Sequence, residues 1–140
     1  MTDDALAKTL EQTTAALAAM LNGNPDPAID SWAESDEVTL FGAWGPIEKG
    51  HKAVTDTMRW VGSRFTGADA VGVEHTVIAS SGDLAYTVGL ERGSVSVQGG
   101  PPRDVVIRVT HIYRRIGGDW KLMHRHADFP PPDRRNTSAG

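Results

Sequence analysis

Hydrophobic residues in the first part of the chain recur at helical spacing. One side of the first predicted helix carries Leu6, Leu10, Leu17 and Leu21. We expect Thr2 to be its N-cap, and Gly23 followed by Pro25 to end it. A short second helix is predicted from Asp26. A third is predicted from position 48 until Gly67 ends it, with its hydrophobic stripe at Val54, Met58, Val61 and Phe65.

After the third helix the pattern changes to strict alternation, which is typical of β-strands. Hydrophobic residues alternate over residues 71–77 and 84–90, and two further runs flank Gly117-Gly118, which predicts a hairpin. A short strand at residues 38–41 precedes the third helix. The pattern therefore predicts an α+β fold, a cone-shaped domain with three N-terminal helices packed on a curved antiparallel sheet. Because three helices cannot cover such a sheet completely, we expect a cavity between the layers.

The last strand carries ionisable residues on both of its predicted faces. One face is predicted to hold Trp120, Leu122, His124, His126 and Asp128, and the other to hold Lys121, Met123, Arg125, Ala127 and Phe129. Ionisable groups are rarely buried without partners. We therefore expect this strand to be central, covered on both sides, and close to any functional site.

Composition narrows the class of protein. With 140 residues, 39% of them hydrophobic, the chain fits one domain, which we place at residues 1–129, followed by an unpacked tail at 130–140. The 14 basic and 18 acidic residues give a net charge of -4 without a basic cluster, so nucleic acid is not expected as a partner. The sequence has no cysteine, no apolar run of membrane-spanning length and no start typical of a secretory signal. We therefore expect a cytoplasmic protein without membrane contact.

The order of these elements and the ending GGDWKLMHRHAD resemble the nuclear transport factor two-like superfamily. Within it the chain is most similar to the SnoaL-like proteins, a group that includes polyketide cyclases and relatives of ketosteroid isomerase. The stretch from Pro102-Arg103 through Trp120 to His124 and His126 also resembles the association domain of calcium/calmodulin-dependent kinase II. The resemblance implies a shared fold over residues 3 to 129. It implies less about activity, because these scaffolds host unrelated functions.

The functional residues of these relatives are mostly not matched. The resemblance places the ketosteroid isomerase base at Phe41, its acidic hydrogen-bond donor near Thr110, and the aspartate of the cyclases near Arg125. The kinase association domain has pocket arginines at positions corresponding to His111 and Ala127. The resemblance therefore implies neither the proton abstraction of the isomerases nor the anion site of the kinase domain.

Arg125 is the leading candidate for a binding residue. In the relatives, the cavity is lined by the strand face that here carries Arg125, so His124 and His126 would lie at a dimer interface or in an outer layer. We expect Arg125 either to clamp the carboxylate or phosphate of a ligand, or to pair with a local acid. The acids considered are Asp30, Glu34 and Glu37. The predicted ligand-binding set is Arg125, Met123, Trp32, Trp44 and Phe41.

Tyr86 and His111 are the predicted groups for proton transfer, since a buried phenol or neutral imidazole can serve as acid, base or orienting donor. Each of them alone is more often a hydrogen-bonded residue of the core or of an interface. The spacing of His124, His126 and Asp128 also permits a metal site, although hydrogen bonds across an interface explain these histidines more simply.

Two functions remain open from the sequence. The first is a protein that binds a small molecule in an apolar pocket, extending to isomerase, cyclase or hydratase chemistry on a substrate with a carbonyl or carboxylate. It requires no cofactor, and a homodimer is expected. The second is a non-catalytic association module that forms homo-oligomers through an exposed sheet face.

Overall fold

A computed structural model of the chain describes residues 3–132. The elements are α1 Asp4–Leu21, α2 Asp26–Ser31, β1 Thr39–Phe41, β2 Ile47–Lys49, α3 His51–Arg64, β3 Phe65–Ser81, β4 Leu84–Val97, β5 Arg103–Ile116 and β6 Asp119–Asp128. The six strands form one sheet in the order β2-β1-β6-β5-β4-β3, in which only β1 and β6 are parallel. The predicted α+β fold, with N-terminal helices packed on a curved sheet, is confirmed.

Helix α1 begins at an aspartate cap and packs one side against the sheet. The Asp3 carboxylate accepts a hydrogen bond from the backbone N–H of Leu6, with 2.6 Å between Oδ1 and N. Asp3 is therefore the N-cap, and the prediction of Thr2, which lies outside the described residues, is wrong. The buried residues of α1 are Leu6, Leu10, Ala16, Met20 and Leu21. Because full burial of a leucine side chain contributes about 1.5–3 kcal/mol, this stripe fixes α1 over the inner face of the sheet.

The boundaries of the third helix differ from those predicted. Residue Glu48 belongs to β2, a strand of three residues that is too short to show an alternating pattern, and α3 begins only at His51. Phe65 already opens β3, which continues through Gly67. Helix and strand thus join without a loop, because Phe65 is both the last position of the helical stripe and the first buried position of β3.

A β-bulge in β6 changes which residues face inward. Ile112 pairs with His124 and the next residue, Tyr113, pairs with Leu122, so Met123 is an extra residue without its own partner. The predicted division of the strand into two faces is therefore wrong on one side of the bulge. The side chains of Leu122 and Arg125 face the same cavity, although strict alternation placed them on opposite faces.

The hydrophobic core lies between the helices and the inner face of the sheet. Its most deeply buried large side chains include Leu6, Val38, Leu40, Val54 and Tyr113. No helix within residues 3–132 is long and apolar enough to cross a membrane. Of the tail predicted to be unpacked, residues 133–140 lie outside the described residues.

Candidate functional site

A cavity of about 100 Å³ lies between the three helices, the loop after β1 and the inner face of the sheet. Most of its wall is apolar. Large apolar side chains that line it include Met20, Trp32, Trp44, Met58, Phe65 and Leu122. An engineered apolar cavity of about 150 Å³ is known to hold benzene, so this space suits a ligand of similar or smaller size.

An ion pair forms the polar part of the cavity wall. The Arg125 guanidinium donates to both carboxylate oxygens of Glu91, with 2.7 Å from Nη1 to Oε2 and 2.8 Å from Nη2 to Oε1. The Glu91 side chain is 4% exposed and the Arg125 side chain 18% exposed. Such a bidentate pair is stronger than a surface salt bridge, and its geometry is fixed by two parallel hydrogen bonds.

Two more side chains connect this ion pair to helix α1. Nη1 of Arg125 lies 3.1 Å from Nε2 of His111, Nδ1 of His111 lies 3.3 Å from the Tyr113 hydroxyl, and that hydroxyl lies 3.2 Å from Oγ1 of Thr13. Arginine cannot accept a hydrogen bond, so Nε2 of His111 must be the acceptor and Nδ1 must carry the proton. Tyr113 then accepts from His111 and donates to Thr13, which in turn donates to the backbone carbonyl of Thr9 at 3.0 Å. Each hydrogen bond in the series from Arg125 to Thr9 therefore has one defined donor and one defined acceptor.

The protonation states follow from burial and from the Arg125 charge. Burial, together with the nearby Arg125 cation, lowers the pKa of His111 to about 3, against the opposing effect of Glu91. Burial by itself would raise the pKa of Glu91, but the charge and hydrogen bonds of Arg125 bring it below its ordinary value. Burial raises the pKa of Tyr113 to about 12. At neutral pH the cluster therefore holds a carboxylate, a guanidinium, a neutral imidazole and a neutral phenol.

The polar cluster around Arg125 can still donate hydrogen bonds to a ligand, but its proton acceptors are already occupied. Both oxygens of Glu91 and Nε2 of His111 are already bonded by Arg125. Arginine has five N–H groups, and three of those on Arg125 are used in these bonds. Within residues 3–132, the N–H of Nε and the second N–H of Nη2 have no acceptor. A ligand oxygen can therefore accept hydrogen bonds from Arg125 without breaking the ion pair.

The structure brings four of the predicted site residues together in the cavity wall: Arg125, His111, Trp32 and Trp44. Their functions stay predictions. Arg125 does pair with an acid, but that acid is Glu91. The suggestion that it would be Asp30, Glu34 or Glu37 is wrong.

Three other predicted residues do not line the cavity. Phe41 is 43% exposed on the outer face of the sheet, where its ring contacts the rings of His124 and His126, and Leu40 lines the cavity in its place. Tyr86 is 46% exposed and also lies on the outer face, because alternate residues of β4 point outward. Met123 is buried in the hydrophobic core at the bulge, away from the cavity. The prediction that these residues reach the cavity is wrong.

Glu91 is the site residue that sequence reasoning missed. Leu84, Tyr86, Val88 and Leu90 alternate along β4, and the usual rule that such apolar residues face the core would place Glu91 outside. The structure shows the reverse, with Ala85, Thr87 and Glu91 buried. The one signal available in the sequence is that Glu91 belongs to the set of alternate positions in β4 that also holds the small residues Ala85, Thr87, Gly89 and Gly93.

The alternative of a metal site at His124, His126 and Asp128 is not supported. Asp128 accepts two hydrogen bonds from Arg108, at 2.6 Å and 3.0 Å, and Nδ1 of His124 is bonded to Oγ1 of Thr39 at 2.7 Å. Within the described part of the chain, no group of three or more histidine and carboxylate side chains is placed to hold a metal ion. The alternative of hydrogen-bonded histidines on the outer face fits His124.

Comparison with solved structures places this fold among known proteins. A candidate calcium/calmodulin-dependent protein kinase type II association domain from Thiobacillus denitrificans ATCC 25259 is 20% identical with a TM-score of 0.75, covering 89% of this chain and 94% of that chain. A candidate dehydratase of the NTF2-like family from Streptomyces avermitilis is 18% identical with a TM-score of 0.76, covering 93% and 99%. A ketosteroid isomerase-like protein from Erwinia carotovora atroseptica SCRI1043 is 17% identical with a TM-score of 0.74, covering 94% and 100%. At these identities the likeness shows the fold alone.

Comparison at the level of sequence gives a family. No curated protein matches the chain significantly. A family model described as the SnoaL-like domain matches residues 10–132, from the middle of α1 to beyond β6. Because this match spans most of the chain, and includes the cavity wall and the strands that position it, the protein belongs to the SnoaL-like domain family.

Proposed function

We propose that this protein binds a small, mainly apolar molecule in the cavity, with Arg125 holding the one oxygen-bearing group of the ligand. The observation that carries the proposal is the combination of an apolar wall with a single buried polar cluster, in which Arg125 keeps two N–H groups without an acceptor among residues 3–132. Ligand pockets are commonly built this way, with a few polar groups that fix the orientation of a ligand in an apolar space.

A reaction is a further part of this proposal. Solved structures of similar fold include proteins described as a candidate dehydratase and as ketosteroid isomerase-like, so hydratase, isomerase or cyclase chemistry is the relevant class. Such chemistry needs a proton acceptor, and in the polar cluster only Glu91 and His111 offer one. Both are held by Arg125, and both have lowered pKa values. The cluster therefore supports binding more strongly than proton abstraction.

Binding in the cavity is tested by filling it. We expect Leu17→Trp to weaken the binding of small aromatic and alicyclic ketones, alcohols and carboxylates by at least about tenfold, since Leu17 lines the cavity and a larger side chain takes up its space. The measurement is ligand-observed NMR combined with thermal denaturation. Leu84→Trp is the matched control, because Leu84 is 50% exposed on the outer face. Absence of binding to the wild-type protein by every compound of the panel would sink the proposal.

A second proposal concerns the outer face of the sheet, which we infer to be a homodimer interface. Val77, Leu84, Tyr86, Val88 and Ile112 are apolar and at least one-third exposed, and the register places Tyr86 beside Ile112 and Val77 beside Val88. Contiguous exposed apolar surface of this kind is typical of protein interfaces. Two solved structures of similar fold are described as candidate association domains, which supports assembly between copies of this chain.

The dimer proposal predicts a change of molecular mass. We expect the wild-type protein to be dimeric by light scattering after size exclusion, and Ile112→Asp to be monomeric, because a carboxylate in the centre of the apolar face cannot be desolvated without a partner. Ile78→Asp is the control. Ile78 is 39% exposed but pairs with Thr87, on the opposite face. A monomeric wild-type protein, or equal masses for the two variants, would contradict the proposal.

A further inference from the structure

The charged side chains that line the cavity are neutralised in pairs. Two arginines line it, and each is bonded to a glutamate: Arg125 to Glu91, and Arg92 to Glu74 at 2.7 Å between Nε and Oε1. His111 is neutral because burial lowers its pKa to about 3. The cavity therefore contains a strong donor but almost no net charge.

We infer that Glu91 makes this cavity select ligands with an uncharged acceptor group, such as a carbonyl, amide or hydroxyl oxygen, over carboxylates and phosphates. This inference rests on the proposed small-molecule binding and narrows the chemical class of the ligand. Glu91 acts as a specificity-determining residue, because it supplies the negative charge that a ligand anion would otherwise bring to Arg125.

The geometry of Arg125 shows which ligand groups fit. The two N–H groups at the end of the guanidinium bond Glu91, and the outer N–H of Nη1 bonds His111. The two that remain without an acceptor in the described residues, on Nε and Nη2, lie along one edge of the guanidinium plane. One neutral oxygen can accept from this edge while the ion pair stays intact.

An anionic ligand group at the same edge of the guanidinium would be attracted by Arg125 and repelled by Glu91. A carboxylate would place a second negative charge beside Glu91, which is 4% exposed and therefore poorly screened by solvent. The attraction of the anion to Arg125 is then opposed by Glu91, and the cost of removing the carboxylate from water is not recovered. No further cation in the described cavity wall offsets this, because the Arg92 guanidinium is bonded to Glu74 and is 47% exposed to solvent.

The charge at position 91 can be removed with almost no change of shape. Glu91→Gln leaves an amide of the same size beside Arg125 and gives the cavity one uncompensated positive charge. The variant should gain affinity for carboxylates relative to neutral ligands. Glu74→Gln is the matched control, since it frees the other arginine of the wall at a solvent-exposed position where water screens the change.

The experiment compares matched amides and carboxylates built on furan, benzene and cyclohexane rings, with dissociation constants measured by ligand-observed NMR at neutral pH. We expect the wild-type protein and Glu74→Gln to bind each amide at least about tenfold more tightly than its carboxylate, and Glu91→Gln to lose or reverse this preference. Circular dichroism confirms that each variant is folded. If Glu91→Gln does not fold, the wild-type preference and its retention in Glu74→Gln decide the question.

The unfavourable outcomes separate the two proposals. Wild-type protein that binds carboxylates as tightly as amides overturns the selectivity inference and leaves small-molecule binding in place. A preference that persists in Glu91→Gln shows that Glu91 does not set it, and also overturns the inference. If neither member of any pair binds the wild-type protein, the proposed function fails and the selectivity inference fails with it.

Discussion

Replacing Arg125 with methionine is expected to lower the free energy of unfolding by about 3–5 kcal/mol at neutral pH. The variant keeps most of the side-chain volume but leaves the Glu91 carboxylate buried at 4% exposure without the cation that donates to both of its oxygens. Breaking a buried ion pair by removing one partner is costly for this reason, whereas the pair as a whole contributes little. Urea denaturation followed by circular dichroism gives the free energy directly.

The double variant Glu91→Leu with Arg125→Met is the control that identifies the cause. Removing both charges abolishes the uncompensated carboxylate, so the double variant should regain most of the stability lost in the single one. The single variant should also recover as the pH falls, because burial raises the pKa of a carboxyl group that has no cation beside it. Equal losses in the single and double variants would show that packing, and not charge, is what Arg125 contributes.

Replacing His111 with glutamine is expected to reduce the loss of unfolding free energy between pH 7 and pH 5 by about 2 kcal/mol. The folded-state pKa of His111 is lowered from 6.5 to about 3, so the unfolded chain takes up the proton first as the pH falls. The contribution of His111 to stability is therefore fully present above pH 6.5 and is lost progressively as the pH falls towards 3. The loss amounts to about 1.4 kcal/mol for each pH unit in this range.

Urea denaturation of both proteins at pH 7 and pH 5 checks this expectation. The pKa values of His75 and His124 are also lowered by burial, but both residues remain in the variant and their contributions cancel in the comparison. Parallel losses of stability in the wild-type protein and the variant would mean that His111 is already accessible to protons in the folded state.

Most of the fold could be predicted from the sequence, because buried hydrophobic residues recur at the regular spacing of a helix or a strand. The stripe of α1 repeats often enough to reveal the helix and its inner face. The alternation of the long strands reveals the strands, but in β4 it does not show which face points inward. Such repetition is missing in β2, which has three residues, and the helical stripe of α3 ends on Phe65, which also starts β3. The errors at these boundaries come from elements that are short or that share a residue.

The candidate site was predictable only in part, because a cavity does not follow the rule that apolar residues face inward. Arg125 was predicted because the resemblance places its strand face against the cavity. Glu91 was not, since β4 directs most of its larger apolar side chains outward and its small residues inward, on the same face as Glu91. Tyr86 and Phe41 were also predicted to reach the cavity, and both lie on the outer face. A strand with one face against a cavity and the other apolar and exposed reverses the usual pattern.

The extra residue Met123 has a consequence for comparing functional residues among related chains. Every position of β6 before the bulge has the opposite orientation from the one that simple counting back from Arg125 would give it. An alignment of a homologue that lacks this insertion, drawn without a gap, would equate cavity-lining positions with outward-facing ones. Transfer of catalytic assignments between family members along this strand is therefore sound only where the insertion is shared.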